Sequence, residues 1–324
     1  MKRWLSKAET ALGNHSDRLN AINIFPVADG DTGTNLYLTV RAASASLAGL
    51  DPGVTDVGSV LATAGQAAME EARGNSGTLF AVFLGAAAEP LRGNNRLTAS
   101  LLAAALHRAQ IRAWSALSDP VPGTMLSVME SAAAAADAVH SEHPADDSNH
   151  ALGLALDATV NGALAAVIRT EEQLDALHAA KVVDSGGVGM LLILDCLRSA
   201  VLGEELQTAL LDGLHGYDVQ DPHIHADMPV DDGVEVMCTI TLSPLDAATL
   251  RQRLDEIGES VIMSQVGGTP DDESGYRWRV HVHVPRADAA VAVIRSLGVP
   301  SHISISDLAV PRQPEPADTG GHER

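Results

Sequence analysis

The segment NIFPVADGDTGTN, residues 23–35, constrains the fold and the chemistry of this chain more than any other. It places two carboxylates, Asp29 and Asp31, two positions apart with a glycine between them. Magnesium prefers hard oxygen ligands and commonly combines one or two carboxylates with phosphate oxygens and water. Glycines let backbone N–H groups approach a phosphate, and Thr34 or Asn35 can cap a following helix whose N-terminus attracts an anion. The segment therefore predicts a magnesium and phosphate loop, with an Asp/Gly turn before a capped helix as the alternative.

Three later segments combine glycine with polar side chains in a similar way: EEARGNSG at 70–77, PVPGTML at 120–126 and KVVDSGGVG at 181–189. In the first of them, Arg73 can make a charge-assisted contact to a phosphate and Ser76 offers a hydroxyl. Taken singly, each segment is also compatible with an ordinary break between surface helices. Because all four segments lie between apolar helical stretches, they predict one polar rim at one end of a helical bundle. The sequence contains neither a Walker A motif nor the protein-kinase signature motifs.

The first two thirds of the chain have the periodicity of helices. Apolar residues recur at helical spacing, for example at Val57, Val60, Leu61 and Ala64, and turn-forming clusters separate the helical segments. Aromatic residues make up only 3% of the chain, so alanine, leucine and valine must fill the core. About eight helices fit residues 1–205, which we predict to form an all-α domain.

The remainder of the chain has a different character. Residues 206–232 are rich in glycine, proline, acidic residues and histidine, and are predicted to be a linker. Residues 233–312 alternate strand-like and helix-like segments, which predicts a small α/β domain with a split β-α-β arrangement. Its predicted strands are 234–242, 260–265, 277–284 and 302–305, and its predicted helices are 244–257 and 287–297. Residues 313–324 are expected to be a disordered tail.

Composition argues against several functional classes. Lys and Arg total 21 against 42 Asp and Glu, which gives a net charge of −21. Binding to nucleic acids and anionic membranes requires clustered positive charge, so we expect neither as a partner. We find no signal peptide and no run of about 18 apolar residues, so we expect no integral membrane segment. The two cysteines, Cys196 and Cys238, argue against a disulfide framework and suit a reducing, cytoplasmic location.

Taken together and in this order, the four segments resemble the nucleotide-binding domain of the dihydroxyacetone kinase family, and most of all the catalytic subunit of bacterial fatty acid kinase. The family patterns are N-x-[FY]-P-V-P-D-G-D-T-G-T-N, G-A-R-G-N-S-G, P-V-x-G-T-[IM]-L and V-V-D-S-G-G-x-G. All four occur here, with small departures, between Asn23 and Gly189. The resemblance implies a multi-domain chain in which an all-α barrel of eight antiparallel helices, binding ATP at one end, precedes the α/β domain.

The resemblance also implies roles for individual residues. Asp29 and Asp31 would hold magnesium with Asn23 beside them or among the ligands, and Arg73 would join the two aspartates as a catalytic residue. Contacts to ATP or ADP are implied for Thr32, Gly33, Thr34, Asn35, Gly74, Asn75, Ser76, Gly77, Gly123, Thr124, Met125, Asp184, Ser185 and Gly186. These loops contain no obvious general base, which a carboxylate acceptor would not need because it is already ionised at neutral pH.

Proteins of this type transfer the γ-phosphate of ATP to an acceptor held by a separate protein. In fatty acid kinase the partner carries the acyl chain, and the product is an acyl phosphate that serves phospholipid metabolism. The resemblance therefore implies an acceptor-carrying partner subunit, of the fatty-acid-binding type, and a fatty acid or a dihydroxyacetone-like acceptor. A homodimer is a further expectation.

The sequence departs from the family pattern at several positions. Ala28 replaces a proline, Glu71 replaces a glycine, Thr78-Leu79-Phe80 replace smaller aliphatic residues, and Val188 stands where a lysine is frequent. Fatty acid kinase chains also carry a third, C-terminal domain, which we expect to be missing here beyond residue 312. These departures concern the contacts to phosphate and partner, and therefore the identity of the acceptor.

The strand predicted at 277–284 carries a second candidate site. His281 and His283 alternate with valines, so both imidazoles point to one side, as in many zinc sites, although a solvated polar strand face has the same pattern. The middle domain of the fatty acid kinase catalytic chain is similar here and implies a zinc site formed by Cys238, His281 and His283. Simple alternation puts Cys238 on the apolar face of its own strand, so this site requires a bulge or an edge pairing. Cys196 lies in an apolar helix and is predicted to be a core residue.

The sequence therefore predicts an ATP-dependent kinase subunit whose acceptor is presented by another protein. Two alternatives stay open: a regulatory subunit that holds ADP without turnover, and a metal-binding module without a kinase role. Nucleotide turnover in the presence of a partner would distinguish the first prediction from both alternatives.

Overall fold

The computed structural model describes residues 1–308 except residues 52, 145, 218–232 and 267–274. Most of the predicted linker (218–232) and all of the predicted tail (313–324) lie outside the described residues. Those two predictions stay predictions.

The first domain is a bundle of helices, as the periodicity predicts. Its helices are α1 Lys2–Ala21, α2 Thr32–Ser46, α3 Val57–Glu71, α4 Gly74–Leu91, α5 Ala99–Ala116, α6 Met125–Glu142, α7 Asn149–Gln173, α8 Asp175–Ala180 and α9 Ser185–Leu202. Eight of them are long, and α8 is an extra segment of six residues. Several begin where a side chain accepts a hydrogen bond from a backbone N–H of the first turn: Asp56, Thr98, Thr124, Ser148 and Asp184.

Small residues let these helices pack closely, since aromatic side chains are few. A Cβ atom placed on Gly65 of α3 would lie 2.8 Å from the Cα atom of Gly85 in α4. Buried alanines fill the interfaces of α5 and α6 in the same way. Successive helices pack against each other, and α9 closes the bundle against α1, α2, α6 and α7.

Two helices, α7 and α9, are long and apolar enough to cross a membrane by length and composition alone. The most apolar window of α9 is 83% buried inside the protein, and that of α7 is 50% buried. A core helix passes the same test, so these helices are weak evidence for a membrane span. Cys196 in α9 is fully buried in the core, as predicted.

The helical core extends beyond the predicted boundary at residue 205. A short 3₁₀ turn at Thr208–Leu211 is followed by further chain that packs on the bundle. The buried apolar side chains of this stretch are Leu210, Leu211, Leu214 and Tyr217. Residues 206–217 therefore belong to the helical domain rather than to the linker, because these apolar side chains are removed from water against the bundle.

The second domain is a four-stranded antiparallel sheet with two helices on one face. Its elements are β1 Val234–Leu242, α10 Pro244–Asp255, β2 Glu259–Val266, β3 Tyr276–Val284, α11 Ala287–Leu297 and β4 Ser301–Asp307. The strand order is β2-β3-β1-β4, and every neighbouring pair is antiparallel. This arrangement confirms the predicted split β-α-β domain.

The two faces of this sheet have different neighbours. Val236, Cys238 and Val282 form a separate apolar core with α10 and α11. On the opposite face, Ile262 of β2 is buried in the core of the helical bundle. The N–H of Ser118 also donates a hydrogen bond to the carbonyl of Val261 at 3.1 Å, which ties the loop between α5 and α6 to β2. The polar face of the sheet is therefore enclosed between the two domains.

Candidate functional site

The four glycine-containing segments lead into four helix N-termini at the same end of the bundle. Asp31, Arg73, Thr124 and Asp184 are the N-cap residues of α2, α4, α6 and α9. Residues of all four segments line one cavity of about 630 Å³, a size typical of small-molecule sites. Helix N-termini present unpaired N–H groups and a positive dipole end, which favour a bound anion. The predicted polar rim is therefore present at this end of the bundle.

The carboxylate pair is held by a small hydrogen-bond network. The Oγ1 atom of Thr32 donates to Oδ1 of Asn23 at 2.9 Å, and Nδ2 of Asn23 donates to Oδ1 of Asp29. Burial, followed by the negative charge of Asp31, raises the pKa of Asp29 to about 8. Two enclosed carboxylates repel each other, so a cation bound between them would stabilise both in the charged form. The donor set of carboxylates and an amide oxygen suits magnesium.

The second segment presents backbone and amide groups to the cavity. Gly74 has a φ of 57°, and a Cβ atom there would collide with the side-chain amide of Asn35. The Oγ atom of Ser76 donates to the carbonyl of Thr32 at 3.4 Å, which joins the first two loops. The Oδ1 atom of Asn75, a residue of the cavity wall, is buried without a hydrogen-bond partner. A buried unpaired acceptor is costly, and a bound ligand can satisfy it.

The fourth segment contributes a buried acid to the wall. Asp184 is 5% exposed, and its Oδ2 atom accepts a hydrogen bond from the N–H of Gly187 at 2.7 Å. Burial raises the pKa of Asp184 to about 7, although its backbone hydrogen bonds oppose the shift. Asp184 and Asp29 are therefore both easily protonated near neutral pH when no cation is bound.

The cavity brings together many of the residues that the sequence assigned to magnesium or nucleotide. Those that line it are Asn23, Asp29, Asp31, Thr32, Gly74, Asn75, Ser76, Thr124, Met125, Asp184 and Gly186. The remaining assigned residues lie behind or beside this wall: Gly33, Thr34, Asn35, Arg73, Gly77, Gly123 and Ser185.

Two residues behind the wall have evident packing roles. A Cβ atom on Gly33 would collide with the carbonyl oxygen of Ser16, so this glycine lets α2 approach α1. The hydroxyl of Ser185 is buried and donates to the carbonyl of Leu19 at 2.6 Å. For Gly33 and Ser185, the structure thus indicates support of the loops rather than direct contact with a ligand. Arg73, by contrast, is exposed at the start of α4.

Part of the cavity wall comes from the second domain, which the sequence did not indicate. Asp255 and residues 258–261, at the end of α10 and the start of β2, line the cavity together with His283. Ser260 has a φ of 53°, a left-handed conformation that is uncommon for a residue with a side chain. No local pattern marks these residues, because their position over the cavity depends on how the two domains dock.

The two histidines of β3 lie beside a carboxylate. Glu235 of β1 is the register partner of His283, and its Oε2 atom lies 3.4 Å from Nδ1 of His281. One donor atom from each of these three residues lies within 4.8 Å of the other two. His281 is completely buried, and neither of its ring nitrogens has a hydrogen-bond partner. Two imidazoles and one carboxylate form a donor set that zinc and similar transition metals accept.

The prediction that Cys238 is a zinc ligand is wrong. The β1–β4 pairing shifts its register between Met237 and Thr239, but Cys238 pairs with Val280 in a continuous β1–β3 register and stays on the face opposite His281 and His283. Its thiol lies in the apolar core with α10 and α11, and burial raises the pKa of this thiol to about 12. The alternative of a solvated polar strand face is also wrong, since His281, His283 and Arg279 are all buried.

Comparison with known families gives two matches. A family model described as DAK2 domain matches residues 26–199, and one described as the FakA-like middle domain of fatty acid kinase matches residues 233–313. The chain is 29% identical over 284 residues to Protein YloV of Bacillus subtilis, an alignment that covers 85% of this chain and 49% of that protein. It is 26% identical over 283 residues to an uncharacterized protein of Staphylococcus aureus, with the same two coverages, 85% and 49%. The chain thus spans about half the length of the curated relatives it matches.

Similar solved structures include the dihydroxyacetone kinase of C. freundii, in a native form and in complex with AMP-PNP and Mg²⁺. Both superpose with a TM-score of 0.45 at 20% sequence identity. The superpositions cover 61% of this chain and 34% or 33% of the kinase chain.

Proposed function

Because the chain belongs to the DAK2 domain family, we propose that it is the ATP-binding subunit of a kinase and that Mg-ATP binds in the cavity between its two domains. The observation that carries this proposal is the convergence of four helix N-termini and a half-buried carboxylate pair on one cavity. Phosphates and magnesium are the ligands that such a combination favours. Four sequence segments spread over residues 23–189 contribute to it, which an accidental turn would not explain.

The residues of the cavity divide into two tasks in this proposal. Asp29 and Asp31 bind the cation, and the amide oxygen of Asn23 or Asn75 lies in position to assist. The first turns of α2 and α4 direct N–H groups at the phosphates, and the exposed Arg73 can reach them from the start of α4. Magnesium held by Asp29 and Asp31 would offset the negative charge that develops during transfer.

The proposed reaction is phosphoryl transfer to an oxygen acceptor. An oxygen of the acceptor forms a bond to the γ-phosphorus, the bond to the β–γ bridging oxygen breaks, and ADP leaves. A carboxylate acceptor such as a fatty acid has no proton to lose at neutral pH, so this transfer needs no general base. A hydroxyl acceptor, such as a dihydroxyacetone-like molecule, would need one. A carboxylate acceptor therefore demands less of the cavity residues, while Asp184 in the cavity wall, with a pKa of about 7, is the group suited to serve a hydroxyl acceptor as base.

We further propose that a separate protein presents this acceptor, as the match to a FakA-like middle domain suggests. An exposed surface that suits self-association lies on the edge strand β4, where Ile303 and Ile305 are 38% and 52% exposed. Edge strands with apolar side chains readily pair with another chain. A homodimer through β4 is the corresponding proposal, and light scattering of the wild type and of Ile305→Lys tests it.

A second cation site is proposed at Glu235, His281 and His283, with a transition metal such as zinc as its occupant. The fit rests on the fully buried His281, whose ring nitrogens lack hydrogen-bond partners, and on the 3.4 Å approach of Glu235 to its Nδ1 atom. Cys238 plays no part in this site. His283 lines the nucleotide cavity, so a metal bound at this site would supply positive charge beside that cavity.

Calorimetric titration of the full chain with ATP and ADP, with and without magnesium, tests the proposal. We expect nucleotide binding that requires magnesium, followed by ADP formation when an acceptor-loaded partner is added. Magnesium-dependent binding of ADP without turnover by any acceptor-loaded partner would instead favour a regulatory subunit that holds ADP. Absence of nucleotide binding, with retention of a transition metal, would refute the kinase proposal and leave the metal-binding module.

A further inference from the structure

The junction between α3 and α4 forms part of the cavity and is very short. α3 ends at Glu71 and α4 begins at Gly74, so only Ala72 and Arg73 connect them. The last carbonyls of α3 and the first N–H groups of α4 have no partner within their own helices. Such a junction needs partners from elsewhere if its backbone is to keep one conformation.

A buried arginine of the second domain supplies a partner on the α3 side. Arg279 of β3 is 6% exposed, and its guanidinium Nη2 donates to the carbonyl of Ala72 at 3.4 Å, across 207 positions of sequence. Its Nη1 atom lies 3.5 Å from the hydroxyl of Thr239 on the neighbouring strand, which helps to orient the side chain. Glu71 and Glu235 are within electrostatic reach of the guanidinium. Arg279 therefore binds the end of α3 through both a hydrogen bond and charge.

A carboxylate of the second domain lies near the α4 side. The backbone N–H of Gly74 is close enough to the Glu235 carboxylate to lower its pKa, against the larger raising effect of burial. Gly74 is the first residue of α4, where a negative charge is stabilised by the helix dipole. Glu235 also lies within electrostatic reach of Arg73 and of Asp31. The same sheet face thus binds the carbonyl of Ala72 and places a carboxylate near the start of α4.

We propose that Arg279 is a positioning residue, which fixes the junction of α3 and α4 so that Arg73 and the N-terminus of α4 face the phosphates of the nucleotide. This inference rests on the proposed function, because it gives the second domain a role in the same site. It also accounts for one departure from the family pattern. Glu71, in place of glycine, provides a negative charge next to the carbonyl that Arg279 binds.

The test compares Arg279→Met, Arg279→Lys and a matched control, Arg253→Met, in the full chain. Arg253 is an exposed arginine of the same domain whose Nη1 lies 3.2 Å from the hydroxyl of Ser296, away from the junction. We expect Arg279→Met to weaken Mg-ADP affinity by about ten- to hundredfold, the range for losing a hydrogen bond to a charged group. Arg279→Lys, which retains a charged donor, should recover part of that loss, and Arg253→Met should bind as the wild type does.

Two further measurements separate positioning from general destabilisation. Hydrogen exchange of the segment 70–79 should become faster in Arg279→Met without nucleotide, with little change elsewhere in the bundle. In the double variant Arg73→Ala with Arg279→Met, the loss of affinity should be smaller than the sum of the two single losses, because part of the effect of Arg279 acts through Arg73. Additive losses, or unchanged exchange at 70–79, would overturn the proposal.

The proposed function and the positioning role of Arg279 can fail independently. If the wild type binds no Mg-nucleotide, the proposed function fails, and the exchange measurement alone still decides whether Arg279 orders the junction. If Arg279→Met does not fold, Arg279→Gln, which keeps a polar side chain but removes the guanidinium, tests the same contact to Ala72. That variant should also raise exchange at 70–79, and unchanged exchange would again refute the inference.

Discussion

The Nδ1 atom of His281 lies 3.4 Å from the Oε2 atom of Glu235 on the neighbouring strand, while neither ring nitrogen of this fully buried histidine makes a hydrogen bond. A buried imidazole normally satisfies its nitrogens, because leaving them unpaired costs free energy. Together with His283, the pair forms a compact set of donor atoms. This relationship, and not the position of the nearest cysteine, identifies the candidate transition-metal site.

The first prediction concerns the ligands of that metal. His281→Ala should abolish stoichiometric binding of zinc or cobalt, whereas Cys238→Ser should retain it, because the thiol lies on the opposite face of the sheet. Elemental analysis of the purified variants measures this, with His302→Ala on the exposed strand β4 as the control. A cobalt–thiolate charge-transfer band in the wild type, lost in Cys238→Ser, would contradict the assignment.

The second prediction concerns the carboxylate pair. Asp31→Asn should lower the affinity for Mg-ADP by at least about a hundredfold, since it removes a charged ligand from the cation. The fold should survive, because the Asp31 side chain makes no capping hydrogen bond to α2. Asp137→Asn, on the exposed face of α6, makes the same chemical change away from the cavity. Titration calorimetry compares the two, and an equal affinity would show that Asp31 is not a ligand.

The third prediction is a dependence of stability on pH through Asp184. Its pKa is about 7 in the folded protein and about 4 in an unfolded chain. Between these values the folded state keeps a proton that the unfolded state releases, so the free energy of unfolding falls as the pH rises. The contribution is fully present below about pH 4 and lost above about pH 7.

Asp184→Asn removes this titration while leaving an N-cap of similar quality. The unfolding free energy of the variant relative to the wild type should therefore rise by up to about 4 kcal/mol between pH 4 and pH 7, at about 1.4 kcal/mol per pH unit. Urea unfolding of both proteins without ligand, at several pH values, measures the difference. A difference that is independent of pH would contradict the burial argument.

The fourth prediction concerns the packing that sets α3 against α4. Gly65→Ala should destabilise the protein by about 1–3 kcal/mol, because its Cβ would meet the backbone of Gly85, with the Cα at 2.8 Å and the N at 2.9 Å. Gly85→Ala is the matched control, since a Cβ there meets nothing within 4 Å. The control should be neutral or stabilise the helix by up to about 1 kcal/mol. Thermal unfolding of the two variants measures both effects, and equal melting temperatures would contradict the close approach.

Local sequence patterns predicted much of this fold. The long helices follow the spacing of apolar residues, and the strands β1 and β3 follow the alternation of valines with polar residues. The domain boundary at 205 was wrong because glycine and proline suggested a linker, while Leu214 and Tyr217 pack on the bundle beyond it. Glycine and proline indicate where the chain turns, but whether the residues between those turns are buried depends on which part of the protein they pack against.

The residues of the candidate site also fall into two groups, those that the sequence indicated and those that it did not. Asp29, Ser76, Thr124 and Asp184 meet because each lies just before or within the first turn of a helix that starts at the same end of the bundle. Nothing in the sequence indicates that residues 258–261 complete the cavity wall. Those residues take part through the docking of two domains.

The sequence by itself determined which groups are available: four polar loops that each lead into a helix, a carboxylate pair, and a strand that presents His281 and His283 on one side. These follow from periodicity and from residues adjacent along the chain. Only the tertiary structure decided that Glu235, rather than Cys238, accompanies the histidines, and that Arg279 reaches the carbonyl of Ala72. The physical reason is that alternation fixes the face of a strand, while contacts across strands and domains depend on register and docking.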